Sequence, residues 1–241
     1  MSTNGRLAIL VPSRGRPLTF ARFLESWAAD SAGVSDIILR NGSFDPLVDS
    51  YLDFEGFPNL IRYVGNDAPY KDSMTGNAGY LPAQQEMWER FPGYAAYLSI
   101  EDDCVFEEKG FDKKILAQFL LFPNRCGMLR LHDHSDEIEC YAFSDVWCNA
   151  LGYLWPDVAG ETGFKVMPVI AEELIRKGPA FRHLPLLRSH GYTGNERSGS
   201  LEIPGIVEKF MREGMRMESW FQTNAKRMQK KIHAAAYGGT Q

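Results

Sequence analysis

The segment that decides the fold is YLSIEDDCVF, residues 97–106. An apolar run ends abruptly in three consecutive acids, Glu101, Asp102 and Asp103, and apolar residues resume directly after them. Continuous apolar runs of this kind are typical of buried strands in α/β sheets. The three acids then fall at the carboxyl end of the strand, which is the edge where open α/β sheets bind their ligands.

Three neighbouring carboxylates repel one another, so a cluster of this kind usually needs a cation. Carboxylate oxygens are hard ligands that suit Mg²⁺ or Mn²⁺. A divalent ion at this position could hold a diphosphate and neutralise charge on a departing phosphate. An acidic turn exposed to solvent is the alternative interpretation of the same three residues.

The composition indicates an ordinary globular protein. The 241 residues suit one large α/β domain, with 44% hydrophobic and 24% charged residues. The net charge of −5 gives no signal of bulk nucleic-acid binding. No apolar run approaches the roughly 20 residues that span a bilayer, and the first residues carry no secretory pattern. We therefore expect a soluble, cytoplasmic protein.

The four cysteines show no C-x-x-C pair, which argues against zinc. We expect them to be small buried hydrophobes in a reducing compartment rather than disulfide partners.

Strand and helix patterns alternate through the first half of the chain. Strands are predicted at residues 7–11, 35–40, 60–64 and 94–100, with Asn41-Gly42 as a turn after the second, and helices from Pro17, at 45–54 and at 81–91. Residues 65–79 are predicted to form a long polar loop. This alternation predicts a mainly parallel sheet with right-handed crossovers.

The loop after the first strand contains Arg14 and Arg16. A diphosphate or nucleotide could lie against them, or both side chains could simply be solvated. The segment does not contain the G-x-G-x-x-G pattern of a dinucleotide site.

The second half of the chain is less regular. We predict helices at residues 111–122 and 163–177 and strand-like runs at 127–131, 141–154 and 181–187. A final helix is predicted from Pro204 to about Ala236, interrupted or kinked near Gly214. Residues 132–137 include a His-x-His pair, which is either a metal pair or part of an ordinary polar loop.

The final helix is basic. Residues 205–241 contain seven Lys and Arg residues and three Glu residues. A solvated helix packed through its apolar stripe is one interpretation. A surface for a phosphate-rich acceptor or partner is the other.

Several short motifs, taken in order, resemble those of GT-A nucleotide-sugar glycosyltransferases, particularly the family-2-like enzymes. Residues 9–17 resemble the opening strand and loop of that family, and residues 38–43 its second-strand motif. The acids 101–103 stand where the family has its D-x-D motif, and residues 149–153 resemble its acceptor-side strand. Glu161 precedes a predicted helix and His190 follows a predicted strand, as in the family. The resemblance covers roughly residues 7–191.

The resemblance implies a GT-A, Rossmann-like α/β fold, with a mostly parallel central sheet flanked by helices. Residues 1–203 would form the catalytic domain and residues 204–241 a helical extension packed on it. The implied activity is metal-dependent transfer of a sugar from a nucleotide-diphosphate sugar to an acceptor hydroxyl, with inversion.

Residue roles follow from the same resemblance. The implied metal ligands for Mn²⁺ or Mg²⁺ are Asp103, Glu101 and His190, and the implied catalytic base is Glu161 or Asp157. The residues implied to bind the nucleotide sugar are Pro12, Ser13, Arg14, Arg16, Arg40, Asn41, Glu101 and Asp102.

The sequence departs from the family pattern at three places. Arg40 stands where the family commonly has an aspartate that reads uracil, so UDP is not implied as the donor. Glu101 replaces the first acid of D-x-D but keeps a carboxylate. The paired acids before the late helix are not intact, which leaves the base open between Asp157 and Glu161.

Two other functions fit parts of the pattern. A nucleotidyltransferase shares the sheet and the acidic site, but it typically has a Gly-rich loop and a Lys after the first strand, which Gly15-Arg16 matches poorly. A non-catalytic nucleotide- or glycan-binding module on a degenerate transferase scaffold is the other. The acceptor of a transferase could be a saccharide, a protein, a small molecule or modified DNA, the last through the basic helix.

Overall fold

The computed structural model of the protein describes residues 5–66, 80–132, 140–155, 181–189 and 206–238. The first half contains β1 (Leu7–Ser13), α1 (Pro17–Asp30), β2 (Ser35–Gly42), a 3₁₀ helix (Val48–Phe54), β3 (Leu60–Gly65), α2 (Tyr80–Arg90) and β4 (Ala96–Ser99). The second half contains β5 (Cys104–Phe106), α3 (Phe111–Phe119), a 3₁₀ helix (Pro123–Arg125), β6 (Met128–His132), β7 (Tyr141–Ser144), α4 (Asp145–Leu151), β8 (Phe181–Ser189) and α5 (Ile206–Tyr237).

The eight described strands form one sheet in the order β3-β2-β1-β4-β7-β6-β8-β5. β1 pairs in parallel with β2 and β4, and β2 pairs in parallel with β3, which confirms the parallel first half. β7 is antiparallel to both β4 and β6, and β5 is antiparallel to β8. The result is a mostly parallel central sheet with flanking helices, as predicted.

β1 is the centre of the core because both of its faces are covered. The side chains of Leu7, Ile9 and Val11 pack on one face with the apolar residues of α1. Ala8 and Leu10 pack on the opposite face in a second cluster. Successive strand residues point to opposite faces, so a strand covered on both sides must be apolar throughout. This burial explains the continuous apolar run at the start of the sequence.

The structure corrects several predicted boundaries. β2 continues through Asn41 and Gly42, which therefore do not form the predicted turn. The predicted helix at residues 45–54 is a 3₁₀ helix that begins at Val48. α3 ends at Phe119, three residues earlier than predicted. Boundaries of this kind depend on tertiary contacts that a local pattern does not contain.

The prediction of strand at residues 145–154 was wrong. Only Tyr141–Ser144 is a strand, and α4 follows it directly. Ser144 caps α4 by accepting a hydrogen bond from the Trp147 backbone N–H, and Gly152 ends the helix with a φ of 88°. Residues 149–153 are therefore helix and turn, not the acceptor-side strand that they resemble. A short apolar run fits a buried helix as well as a strand.

α5 is one helix of 32 residues that continues through Gly214, so the predicted interruption there is wrong. Its side chains Met228, Ile232 and Ala236, four residues apart, are buried in the core. The Asn124 side-chain amide donates a hydrogen bond of 2.7 Å to the Ala235 carbonyl, which fixes the end of the helix. The division of the chain at residues 203 and 204 stays a prediction.

Several predicted features lie outside the described residues. They are the loop from residue 67 onward, the polar segment from residue 133 onward, the helix at residues 163–177, and the site residues Asp157, Glu161 and His190. Over the part of the chain that is described, no helix is both long and apolar enough to cross a membrane.

Asp112 ties the first turn of α3 to the connection between α1 and β2. Its carboxylate is buried and accepts hydrogen bonds from the backbone N–H groups of Ala32 (2.8 Å) and Val34 (3.1 Å). The hydroxyls of Ser31 (2.6 Å) and Ser35 (3.0 Å) also donate to it. Burial alone raises the pKa of Asp112, but these hydrogen bonds outweigh burial and lower the pKa below its ordinary value.

We predict that Asp112→Asn lowers the free energy of unfolding at pH 7 by about 1.5–3 kcal/mol, because it replaces a charged acceptor. A carboxylate with a lowered folded-state pKa stabilises the fold above its unfolded pKa and loses that effect as the pH falls through the folded value. The difference from wild type should therefore shrink below about pH 4. Urea unfolding at pH 7 and pH 3 measures both effects. Asp53→Asn, at an exposed acid, is the control, and equal stability of Asp112→Asn and wild type at pH 7 would contradict the assignment.

Candidate functional site

The candidate site lies at the carboxyl ends of the central parallel strands. β1 runs between β2 and β4, and Ser13 at its end pairs in register with Asn41 of β2. The acids 101–103 follow the end of β4. Because parallel strands end at the same edge, the sheet brings the loop after β1 next to the acids.

Side chains from the segment after β2 hold the loop that follows β1. Gly15 adopts a φ of 66°, and its N–H donates a hydrogen bond of 3.0 Å to the Asp45 carboxylate. The Arg16 N–H donates to the Tyr51 hydroxyl, also at 3.0 Å. The hydroxyls of Ser13 and Tyr51 are 2.8 Å apart. Asp45 and Tyr51 were not among the predicted site residues, because no local pattern in the sequence indicates that they reach this loop.

Asp102 points into the protein and is fully buried. The Ser13 hydroxyl donates a hydrogen bond to Asp102 Oδ2, and Arg16 Nη2 forms an ion pair with Oδ1. Burial raises the pKa of Asp102 to about 6, although the charge of Arg16 and the Ser13 hydrogen bond act in the opposite direction. The predicted contact of Asp102 with the donor stays a prediction, and in this structure both of its oxygens face protein groups.

Asp103 and Glu101 flank the buried acid. The Asp103 side chain is 9% exposed, and its Oδ1 atom is buried without a hydrogen-bond partner. Its Oδ2 atom is 3.7 Å from Arg16 Nη1. Burial, followed by the negative charge of Asp103, raises the pKa of Glu101 to about 8. A buried, unsatisfied carboxylate oxygen beside a second carboxyl group fits a hard divalent cation.

No complete metal site is present among the described side chains, since no group of three or more His, Cys, Asp or Glu residues could together hold a metal ion. Two facts fit this observation. Asp102 contacts Ser13 and Arg16, and the predicted ligand His190 lies outside the described residues. Glu101 and Asp103 are the described acids that remain for a cation.

Arg40 is buried at the end of β2 and connects that strand to α2. Its Nε donates a hydrogen bond of 2.8 Å to the Glu86 carboxylate. Gly65 of β3 lies directly against the guanidinium, where a Cβ atom would come within 2.3 Å of Arg40 Cζ. Glycine therefore makes room for Arg40 at this position. The predicted contact between Arg40 and the nucleotide stays a prediction.

Three other predicted residues occupy the same edge. Asn41 is fully buried, where its amide donates a hydrogen bond of 3.2 Å to the Ser13 carbonyl and accepts one of 2.9 Å from Arg62 Nε. Pro12 lies beyond the last β1 residue that pairs with β4, so its missing N–H costs no hydrogen bond on that side. Arg14 is half-buried in the loop.

Gln84 of α2 was not anticipated from the sequence. It is fully buried and donates to the carbonyls of Leu10 (3.2 Å) and Ile100 (3.4 Å). Its side-chain oxygen accepts hydrogen bonds from the Ser99 hydroxyl and from Trp155 Nε1. One amide thus joins the ends of β1 and β4 immediately before the acids. The only indication of this role in the sequence is that Gln84 lies between apolar positions of a predicted helix.

Comparison with known proteins finds no matching family model and no matching protein of curated function. Solved structures do match. The fragment 1–349 of S. aureus TarS in complex with UDP-GlcNAc superposes with a TM-score of 0.62 at 10% identity, covering 96% of this chain and 73% of that one. In the match to another structure of the same fragment, this chain spans 59% of the length of the TarS fragment, with a TM-score of 0.55.

Two further transferases match over nearly the whole chain. One is glucosyl-3-phosphoglycerate synthase from Mycobacterium tuberculosis, with Mn²⁺, UDP and glucosyl-3-phosphoglycerate, which has a TM-score of 0.56 at 10% identity. The match covers 98% of this chain and 81% of the synthase chain. The mannosyltransferase PcManGT from Pyrobaculum calidifontis, with GDP-Man and Mn²⁺, has a TM-score of 0.53 at 11% identity. The match covers 95% of this chain and 73% of the PcManGT chain. At these identities the likeness establishes the fold, and this chain has the GT-A fold of nucleotide-sugar glycosyltransferases.

Proposed function

We propose that the protein is a metal-dependent glycosyltransferase that moves a sugar from a nucleotide-diphosphate sugar to an acceptor hydroxyl. The observation that carries the proposal is the acidic segment 101–103 at the end of β4, beside the β1 loop, in a chain with the GT-A fold. The proposal includes residues 1–203 as the catalytic domain, residues 204–241 as a C-terminal extension, transfer of a hexose, and action in the cytoplasm.

The structural neighbours support the donor and the metal. TarS is described with UDP-GlcNAc, and PcManGT with GDP-Man and Mn²⁺. In our proposal Asp103 and Glu101 hold Mn²⁺ or Mg²⁺, with His190 as a further ligand. The ion would supply positive charge to the diphosphate as it leaves. The Oδ1 atoms of Asp102 and Asp103 are both buried without a hydrogen-bond partner. Asp102 Oδ1 already forms an ion pair with Arg16, which favours Asp103 as the principal ligand.

The donor nucleotide lies, in this proposal, along the ends of β1 and β2. Residues Pro12, Ser13, Arg14, Arg16, Arg40, Asn41, Glu101 and Asp102 bind it directly or shape its site. A guanidinium only donates hydrogen bonds, so Arg40 suits a carbonyl on a base edge or a phosphate. Its neighbour Glu86 orients the guanidinium. An arginine at this position does not indicate which nucleobase the donor carries, so the proposal does not specify UDP.

The chemical step requires one base and one leaving group. The acceptor oxygen forms a bond to the anomeric carbon while the bond from that carbon to the diphosphate breaks, and the nucleoside diphosphate keeps the electron pair. The acceptor proton passes to a carboxylate, which we assign to Glu161 or Asp157. Attack opposite to the leaving group inverts the anomeric configuration.

The exposed face of α5 supports a polyanionic acceptor such as modified DNA. Lys226, Arg227 and Lys230 are exposed on this face, and no acidic residue occurs in residues 219–238. Next to them the exposed rings of His233 and Tyr237 lie 4.8 Å apart. A positively charged surface with aromatic rings is the usual combination for single-stranded nucleic acid. The overall charge of −5 confines any such binding to this local surface.

The first test concerns the metal. We predict that Asp103→Ala abolishes sugar transfer and Mn²⁺-dependent binding of a nucleoside diphosphate while the protein stays folded, because losing one of three adjacent acids relieves repulsion. Transfer assays and calorimetry with and without Mn²⁺ measure this. Asp53→Ala, an exposed acid, should behave as wild type. Full wild-type activity in excess chelator would refute the metal dependence.

The second test concerns the base. We predict that the amide variant of the true base, Glu161→Gln or Asp157→Asn, lowers turnover about 10²–10⁴-fold and leaves donor binding unchanged, because proton transfer contributes only in the transition state. We expect Glu161 to be that residue. Undiminished transfer by Glu161→Gln assigns the role to Asp157. Normal activity of both variants, or a product that retains the donor configuration, would exclude the inverting mechanism.

The third test concerns the acceptor. We predict that replacing Lys226, Arg227 and Lys230 together by Gln weakens binding of a single-stranded oligonucleotide. The slope of the logarithm of the binding constant against the logarithm of the salt concentration should fall in magnitude by about 2, since each phosphate contact contributes about 0.7. Fluorescence polarisation between 50 and 200 mM salt measures it. The matched control replaces the exposed Lys109, Lys113 and Lys114. Equal effects of the two triple variants would remove nucleic acid from the proposal.

A further inference from the structure

The guanidinium of Arg16 lies inside the acidic cluster. Nη2 pairs with the buried carboxylate of Asp102, and Nη1 is 3.7 Å from Asp103 Oδ2. The arginine side chain is itself only 19% exposed. The two contacts differ in kind, since the first is a close ion pair and the second exceeds hydrogen-bond length.

The fold fixes Arg16 in this position. Its N–H is bound to the Tyr51 hydroxyl, and Pro17 begins α1 immediately after it. Gly15 turns the chain with a positive φ and is anchored on Asp45. The Ser13 hydroxyl binds the same carboxylate as Arg16, on its other oxygen. The backbone of the loop therefore aims Arg16 at the acids.

We propose that Arg16 is the resident cation of the acidic cluster and that it competes with the divalent ion for Asp103, so that Arg16 sets the metal affinity of the site. The inference rests on the proposed function, because it takes Asp103 and Glu101 as the ligands of that ion. The Asp102 pair is permanent, since an unpaired buried charge is costly. The longer contact, between Arg16 and Asp103, is the one that the divalent ion replaces.

The expected consequence follows from charge. Arginine stays protonated at all accessible pH values, so its repulsion of a nearby divalent ion is always present. With all three acids ionised, the acids and Arg16 together carry a formal charge of −2, and the acids without Arg16 carry −3. Removing Arg16 should therefore tighten metal binding, whereas removal of an ordinary structural residue should leave it unchanged or weaken it.

The experiment measures Mn²⁺ binding from the spectrum of free Mn²⁺ by electron paramagnetic resonance, with Mn²⁺ alone as the ligand. We expect Arg16→Gln to lower the dissociation constant at least about tenfold. The matched control is Arg22→Gln, which removes an exposed charge from α1 and should leave the constant unchanged. Arg16→Lys keeps the charge and should bind Mn²⁺ as wild type does.

Arg16→Gln leaves Asp102 buried and unpaired, and the single variant can fail to fold. The same question is therefore asked in a background without that charge. Asp102→Asn frees Arg16 to pair with Asp103, so Mn²⁺ should bind about tenfold more weakly than to wild type. Adding Arg16→Gln to Asp102→Asn should restore binding at least tenfold.

The outcomes separate the two ideas. If wild type binds Mn²⁺ and the removal of Arg16 changes the dissociation constant in neither background, the role of Arg16 is overturned and the proposed function stands. If none of these proteins binds Mn²⁺ at millimolar concentration, the metal site and the role of Arg16 are both overturned. Tighter binding on removal of Arg16, with no effect of Arg22→Gln, supports the inference.

Discussion

The buried carboxylate of Asp102 constrains the rest of the candidate site. An isolated charge in the interior costs several kcal/mol, so the fold must supply compensating partners. It does so with the Arg16 guanidinium and the Ser13 hydroxyl, both from the loop after β1. The conformation of that loop is consequently tied to the end of β4, although the two segments are about 90 residues apart in sequence.

The remaining contacts hold this arrangement from two sides. Tyr51 and Asp45 support the β1 loop from the segment after β2. Gln84 joins the ends of β1 and β4 from α2. The edge of the sheet is therefore a packed polar network with defined hydrogen bonds. Ligand groups placed on such a network need little reorganisation on binding.

The fold and the proposed function are supported by different observations. The likeness to sugar transferases is a likeness of chain path at about 10% identity, and one fold supports many activities. The proposed function depends on this chain's own residues. Asp102 is held by Arg16 and Ser13, and Asp103 and Glu101 remain for a cation. The basic face of α5 and the arginine at the end of β2 are the features that make the proposed donor and acceptor specific to this chain.

The sequence by itself determined most of the strands and α-helices of the first half, the order of the motifs and the position of the acids at a strand end. These features follow from local patterns, namely apolar runs, Pro17 at a helix start and charge after a buried strand. Tertiary structure decided that residues 145–151 are a helix, because burial of Trp147 and Leu151 outweighs a strand-like composition. It also decided that Asp102 faces Arg16, since a pairing between distant segments depends on the sheet that brings their ends together.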